Sequence, residues 1–277
     1  MNNNKTALIT GATSGIGYEV ARNLAQLNYS IIILGRSPDK LDSLSKILKD
    51  IRPEVKIDTK ICDLSSLKDI SDTCEEMKTS GKSIDLMILN AGIWNFQFIE
   101  SGDKIEETLH VNLIAPLLMY SRLKNLIPKN GESKVIFTSS GLHQGVIEFK
   151  DIEFRSQFSG FKSYRQSKLG VIMMARWLSN QEENAGIAFY SVHPGMVNTN
   201  LGRRAGWFSR IIFKLFGKSK EKGAETHMYL IKKKNAELKS GAYYANCKVE
   251  RTTEYSYNMP EAEKLWNVIT EFMNKVP

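Results

Sequence analysis

Tyr164 and Lys168, a tyrosine and a lysine four residues apart, form the pair in this sequence best suited to proton transfer. On a helix this spacing places both side chains on one face, with an ammonium group beside a phenol. A free phenol has a pKa of about 10, and a neighbouring cation lowers that pKa by favouring the phenolate. The pair is therefore a candidate general acid or base, although ordinary surface helices also show this spacing.

A glycine-rich turn follows the first predicted strand. Thr6–Thr10 is a short apolar run typical of a buried parallel strand, and a helical pattern over Tyr18–Leu27 comes soon after it. Between them, Gly11 permits a tight turn, Gly15 lets the backbone approach a pyrophosphate, and Gly17 allows close helix-on-strand packing. The turn predicts a dinucleotide site at a helix N-terminus, and the alternative is a tight turn without a ligand.

Arg36 stands at the end of the second predicted strand, Ser30–Leu34. An NAD-binding protein usually places an acidic residue there for the ribose hydroxyls. A planar guanidinium instead suits a 2′-phosphate. We therefore expect NADP(H) to be preferred over NAD(H); the alternative is an arginine that only caps the loop.

The order of the predicted elements indicates the fold class. The predicted strands are Thr6–Thr10, Ser30–Leu34, Val55–Ile61, Ile84–Leu89, Lys134–Thr138 and Ile187–Val192. They alternate with helical patterns, among them Pro38–Asp50 and Lys104–Ile127. We predict an α/β fold in a single domain over residues 1–277. Its core is a Rossmann-type, doubly wound parallel sheet of about seven strands, order 3-2-1-4-5-6-7, with helices on both faces.

Small and polar residues gather where these strands end. The positions concerned are Gly11, Arg36, Asp63, Asn90, Ser140 and Pro194. Because the carboxyl ends of parallel strands lie at one edge of the sheet, we expect a single ligand site there. Asp63 is expected to accept from an adenine amino group, to cap the helix that begins near Ser66, or to do both.

Together these motifs resemble the classical short-chain dehydrogenase/reductase family, and the resemblance runs from Thr6 to Glu271. It rests on the glycine turn, Asn90-Ala91-Gly92, Ser139-Ser140, Tyr164-x-x-x-Lys168 and Pro194-Gly195. The long gap between Ser140 and Tyr164, with residues 223–226 and 240–244, resembles the retinol dehydrogenase-like and WW-domain oxidoreductase-like branch.

The resemblance implies a catalytic tetrad of Asn112, Ser140, Tyr164 and Lys168, with Ser139 as the alternative to Ser140. Tyr164 would transfer the proton, and Ser140 would hydrogen-bond the substrate oxygen. Lys168 would lower the pKa of Tyr164 and contact the nicotinamide ribose, and Asn112 would hold a water in a proton relay.

Cofactor contacts are also implied, in part by the motifs and in part by the resemblance. The predicted residues are Gly11, Thr13, Ser14, Gly15, Ile16, Gly17, Arg36, Asp63, Leu64, Asn90, Ala91, Gly92, Tyr164, Lys168, Pro194, Gly195, Val197 and Thr199. His143 and His193 are set aside as acid–base groups because Tyr164 and Ser140 already fill those roles.

The net charge of +8 is concentrated after Thr199, where Leu201 to Lys222 carries seven cations and one anion. Apolar residues such as Trp207, Ile211 and Leu215 recur there every four residues, which predicts a basic amphipathic helix. We expect a lid over the substrate around residues 200–222, with peripheral membrane contact through residues 203–222. The alternative is a helix on the protein's own core with a solvated cationic face. Stacking aromatics and a DNA-reading motif are lacking, so no nucleic-acid partner is expected.

The cysteine content and the length of the apolar runs bear on the compartment and on membrane insertion. Three cysteines without metal-type spacing argue for a reducing compartment and against a metal site, and no apolar run reaches the length of a membrane span. We expect a cytoplasmic NADP-dependent oxidoreductase acting on an apolar carbonyl or alcohol of the retinoid, steroid or fatty aldehyde/ketone type. The resemblance implies a homodimer or homotetramer. The alternative is a non-catalytic, NADP-binding regulatory or scaffold protein on the same fold.

Overall fold

A computed structural model describes residues 5–195 and 219–276. Within these ranges one sheet of eight strands has the order β3-β2-β1-β4-β5-β6-β7-β8. The strands are β1 (Thr6–Thr10), β2 (Ser30–Gly35), β3 (Ile57–Ile61), β4 (Leu86–Leu89), β5 (Ser133–Thr138), β6 (Ile187–His193), β7 (Tyr243–Ala245) and β8 (Lys248–Val249). The predicted class and order of seven parallel strands are confirmed. The exposed two-residue β8, antiparallel to β7, is an addition, since it is too short to show a hydrophobic period.

Helices cover both faces of the sheet. They are α1 (Gly15–Gln26), α2 (Pro38–Ile51), α3 (Leu67–Ser80), α4 (Glu107–Leu109), α5 (Ala115–Leu123), α6 (Gly160–Ser179), α7 (Lys220–Lys232) and α8 (Met259–Met273). Side chains of β1 alternate between two cores: Leu8 packs in the core that includes α3, α5, α6 and α8 residues, whereas Ala7 and Ile9 pack in the core with α1, α2 and α7 residues. Successive residues of a strand point to opposite faces, so one apolar run serves both layers.

The predicted helix Lys104–Ile127 is corrected by the structure. The helical segment begins at α4, because the Glu106 carboxylate accepts hydrogen bonds from the backbone N–H groups of Thr108 and Leu109. It then passes through a π-helical turn, His110–Ile114, before continuing as α5. A π turn inside an α-helix often marks a functional position, and this one contains Asn112.

Helix α6 carries Tyr164 and Lys168, and it begins at Gly160, earlier than the predicted start near Ser163. Ser159 caps its N-terminus by accepting a hydrogen bond from the backbone N–H of Lys162. Helix α8 packs against α6, where Trp177 and Trp266 stack with ring centroids 4.8 Å apart. The helix that bears the predicted proton donor is therefore held along its length by tertiary contacts.

The predicted lid and amphipathic helix lie outside the described residues, apart from 219–222. Lys220 and Lys222 are exposed in the first turn of α7. In the part of the chain that the structure describes, no helix is long and apolar enough to cross a bilayer.

Candidate active site

A cavity of about 500 Å³ lies at the carboxyl ends of the central strands. Its lining includes most of the predicted cofactor residues: Gly11, Thr13, Ser14, Gly15, Ile16, Arg36, Asp63, Leu64, Asn90, Ala91, Gly92, Tyr164, Lys168 and Pro194. Gly17 and Gly195 do not line it, and Val197 and Thr199 lie outside the described residues. Segments far apart in the chain therefore meet at the carboxyl edge of the sheet.

The glycine turn forms one wall of the cavity by close backbone approach. Gly11 has a φ of +68°, and a Cβ atom there would lie 2.9 Å from the Cα of Ala91. A Cβ atom on Gly17 would lie 2.4 Å from the backbone oxygen of Gly11 and 2.6 Å from Nδ2 of Asn90. Asn90 in turn donates from Nδ2 to the backbone oxygen of Thr10 at 3.1 Å. Gly17 thus serves helix packing, and Asn90 joins the end of β4 to the end of β1.

Tyr164 lines the cavity, and its hydroxyl group is hydrogen-bonded to the side chain of Ser140, which is not itself part of the lining. Ser139, the alternative to Ser140, is buried and donates its hydroxyl to the backbone oxygen of Lys168 at 2.9 Å. The geometry therefore favours Ser140 as the partner of Tyr164, while Ser139 fastens β5 to α6.

Lys168 lies beside Tyr164, with Nζ 5.8 Å from the centroid of the phenol ring. Nζ also donates to the backbone oxygen of Thr138 at 3.0 Å. Burial lowers the pKa of Lys168 to about 8. The ammonium form still dominates at neutral pH, and the carbonyl of Thr138 holds it at the cavity wall.

The pKa of Tyr164 departs from the sequence-based prediction. Burial raises this pKa to about 12, and the hydrogen bond with Ser140 opposes the rise. The predicted lowering of this pKa is therefore wrong for this structure, because loss of hydration is the largest cause of its shift. The phenol is protonated at neutral pH and is poised to donate a proton.

Asn112 connects the π turn to the loop after β4. Its side-chain oxygen accepts from the backbone N–H of Ile93 at 2.8 Å, and its amide nitrogen donates to the backbone oxygen of Ile93 at 2.9 Å and to Ser167 Oγ at 3.0 Å. A Cβ atom on Gly92 would lie 3.2 Å from both Asn112 Oδ1 and Lys168 Nζ. Asn112 thus fixes the cavity wall near Lys168, and its role in a water relay stays a prediction.

Asp63 lines the cavity but does not cap the following helix, which corrects one of its two predicted roles. Its carboxylate accepts from the backbone N–H of Ser65 at 3.0 Å and from the hydroxyl of Ser65 at 2.8 Å. Ser66 caps α3 instead, by accepting from the backbone N–H of Asp69. The capping residue lies directly before the first helical residue, so Asp63 is too early in the chain for that role.

His143 and His193, which the sequence analysis did not assign as acid–base groups, contact backbone atoms at and after Ser140. His143 Nδ1 lies 2.8 Å from the backbone oxygen of Ser140, and His193 Nδ1 accepts from the backbone N–H of Gly141 at 2.9 Å. Sequence reasoning missed a third histidine, His227, whose Nε2 lies 2.9 Å from Thr138 Oγ1. Thr138 lines the cavity, but a histidine within a helix gives no local signal of such a distant contact.

Because His227 is buried, we expect the free energy of unfolding to fall in mild acid. It is fully buried, and burial lowers its pKa to about 4. The unfolded chain binds a proton below about pH 6.5 while the folded chain does not, so stability falls as pH decreases from 6.5 towards 4. Between pH 7 and pH 5 the wild type should lose about 2 kcal/mol more unfolding free energy than His227→Gln. Urea unfolding at the two pH values measures the difference, and equal losses in both proteins would contradict it.

Comparison with known proteins adds an independent finding. The family model for short chain dehydrogenases matches residues 5–206. Retinol dehydrogenase 12 of Homo sapiens is 30% identical over 279 residues, covering 97% of this chain and 86% of that protein.

Two solved structures share the fold. One, of a protein from Mycobacterium paratuberculosis, has a TM-score of 0.78 at 21% identity and covers 98% of this chain and 93% of that chain. The other, a blue fluorescent protein from a metagenomic library in complex with NADPH, has a TM-score of 0.70 at 21% identity, covering 89% and 98%.

Proposed function

Because this chain belongs to the short-chain dehydrogenase family, we propose that it is an NADP(H)-dependent oxidoreductase of an apolar carbonyl or alcohol. The observation that carries this proposal is Tyr164, which lines the same cavity as the glycine turn and is hydrogen-bonded to Ser140. A panel of aldehydes, ketones and alcohols, followed at the nicotinamide absorbance with NADPH and NADH, tests it. Absence of turnover across the panel would favour the scaffold alternative.

The cavity fits a dinucleotide on three counts. Its volume of about 500 Å³ lies within the ordinary range for ligand sites. The turn from Gly11 to Gly17 brings bare backbone to the cavity wall, and α1 begins there with its N-terminal N–H groups. Arg36 and Lys40, which follow β2 in the chain, add two cations to the cavity lining, and these would neutralise a phosphate.

The catalytic roles follow from groups of this chain. When bound, the nicotinamide supplies or accepts the hydride. Tyr164 donates its proton to the substrate oxygen, and Ser140 stabilises the charge that develops on the same oxygen. Lys168 and Asn112 hold the wall beside them, as their contacts with Thr138 and Ile93 show. Since burial raises the pKa of Tyr164 to about 12, the phenol carries the proton that carbonyl reduction requires.

Preference for NADP(H) is proposed from the residues around the end of β2. Arg36, Ser37 and Lys40 line the cavity, and β2 ends in Gly35 without an acidic side chain. Sequence reasoning found Arg36 but missed Lys40, which reaches the same wall from the first turn of α2. A related fold holding NADPH supports the choice of cofactor.

Arg36→Asp should reverse this preference. Charge-assisted hydrogen bonds contribute about 1.5–3 kcal/mol each, so the ratio of kcat/KM for NADPH to that for NADH should fall about 10- to 100-fold. Lys49→Asp is the matched control, because it reverses an exposed charge in the last turn of α2, outside the cavity lining. Steady-state kinetics with both cofactors measure the ratio, and an unchanged ratio in Arg36→Asp would discard this assignment.

The substrate class is proposed from the relatives and from the wall near Tyr164. A retinol dehydrogenase aligns over nearly the whole chain, and the cavity lining includes Ile93, Val111 and Trp94, whose indole stacks on the phenol of Tyr164. An apolar body next to the reacting oxygen suits such a surface. The non-catalytic alternative is less favoured, because this chain keeps both Tyr164 and Lys168 at the cavity.

A further inference from the structure

Trp94 stacks on the ring of Tyr164. The two ring centroids are 4.5 Å apart and the ring planes differ by 15°. Phe96 stacks on the same indole with centroids 4.9 Å apart, and it is 43% exposed. An aromatic column therefore runs from the protein surface to the proposed proton donor, with the almost fully buried Trp94 between them.

The first turn of α6 fixes the position of Trp94. Its indole Nε1 donates to the backbone oxygen of Gly160 at 2.9 Å. A Cβ atom on Gly160 would lie 2.1 Å from the backbone oxygen of Asn95 and 2.8 Å from the Cα of Phe96. The loop after β4 thus lies directly on the start of α6, and the helix that carries Tyr164 also holds the indole that covers its ring.

We propose that Trp94 is a positioning residue for Tyr164, holding the phenol ring in one plane and excluding water from it while the hydroxyl meets Ser140. This inference rests on the proposed function for its kinetic consequences. The torsion that turns a tyrosine ring is broad and nearly two-fold, so a stacked neighbour restricts it effectively. Misplacement of a catalytic group by about 1 Å can cost as much as 100-fold in rate.

The variants Trp94→Leu and Trp94→Phe distinguish the effect of ring stacking on kcat from the effect of side-chain volume. In Trp94→Leu, kcat should fall about tenfold while the dissociation constant for NADPH stays within about twofold, because the lost contact is to the phenol. Trp94→Phe keeps a stacked ring and should recover most of the rate. Trp177→Phe is the control, since Trp177 stacks on Trp266 outside the cavity lining and should leave kcat unchanged.

The titration of Tyr164 supplies a readout that needs no substrate. Removal of the indole admits water to the phenol, so the pKa of Tyr164 should move down from about 12 in Trp94→Leu. The ultraviolet difference between each Trp94 protein and its Tyr164→Phe counterpart follows this titration. Circular dichroism over the same pH range shows whether each protein stays folded, because unfolding would also lower the midpoint towards the free value of about 10.

The proposed function and the positioning role of Trp94 are tested by different outcomes. If the wild type turns over no substrate but the phenol midpoint moves, the proposed function fails and the positioning by Trp94 stands. If the wild type is active and Trp94→Leu matches it in kcat and in the phenol midpoint, the positioning role is overturned.

Discussion

Tyr164→Phe is expected to reduce kcat by about 10³-fold, and NADPH affinity should stay within about twofold of wild type. The substitution removes one oxygen atom, and that atom is the proposed proton donor. The Tyr164 hydroxyl is bonded to Ser140 at the cavity, whereas the nearby imidazoles of His143 and His193 are engaged with backbone groups. The remaining ring keeps its stack on Trp94, so the fold of the site should persist.

Tyr190→Phe is the matched control for that experiment. Tyr190 is fully buried and donates its hydroxyl to Asn235 Oδ1 at 3.1 Å, but it does not line the cavity. Loss of this hydrogen bond should cost about 1 kcal/mol of stability and leave kcat unchanged. Single-turnover kinetics and NADPH titration on both variants give the comparison. Full activity in Tyr164→Phe would remove the phenol from the mechanism.

Gly17→Ala is expected to destabilise the protein by about 2–3 kcal/mol and to weaken NADPH binding more than tenfold. The new Cβ atom would lie 2.4 Å from the backbone oxygen of Gly11, a distance that real Cβ contacts do not show. Neither neighbour can move freely, because Gly11 is itself close to Ala91 and Asn90 is hydrogen-bonded to Thr10. Relief of the clash must displace α1 from β1, and with it the N–H groups proposed to face the pyrophosphate.

Gly102→Ala provides the control for an added methyl group. A Cβ atom on Gly102 would meet no atom within 4 Å, so its effect on stability should stay within about 0.5 kcal/mol. Urea unfolding gives the stability of each variant, and fluorescence titration gives the NADPH affinity. If Gly17→Ala proves as stable and as tight-binding as Gly102→Ala, the packing role of Gly17 is wrong.

Features encoded locally were predictable from the sequence. Apolar runs such as Thr6–Thr10, separated by helical patterns, gave the order of the parallel sheet, since crossover connections allow few alternatives. The spacing of Gly11, Gly15 and Gly17 anticipated the turn at the cavity wall. Each of these signals lies within a few residues of the structure it predicts.

Features set by distant contacts were not predictable in this way. The π turn around Asn112 becomes visible only with the hydrogen bonds to Ile93 and Ser167, which come from two other segments. The raised pKa of Tyr164 depends on how completely tertiary packing covers the ring, and a four-residue spacing carries no information about that.

The same limit applies to Trp94. Its position directly after Asn90-Ala91-Gly92-Ile93 shows that it lies near the strand end. The contact of Trp94 with α6, however, depends on the absence of a side chain at Gly160, which lies far along the chain. A close approach between two loops leaves no periodic pattern in either segment, so the stacked column emerged only from the coordinates.

Transfer of a labelled hydride is the most direct test of the proposed oxidoreductase. The protein is incubated with an apolar aldehyde or ketone and NADPH in which both nicotinamide C4 hydrogens are deuterium, and the alcohol product is analysed by mass spectrometry. We predict one deuterium on the former carbonyl carbon, formed by the wild type and lost in Tyr164→Phe. A protein that binds NADPH but forms no labelled alcohol from any carbonyl in the panel would contradict the account.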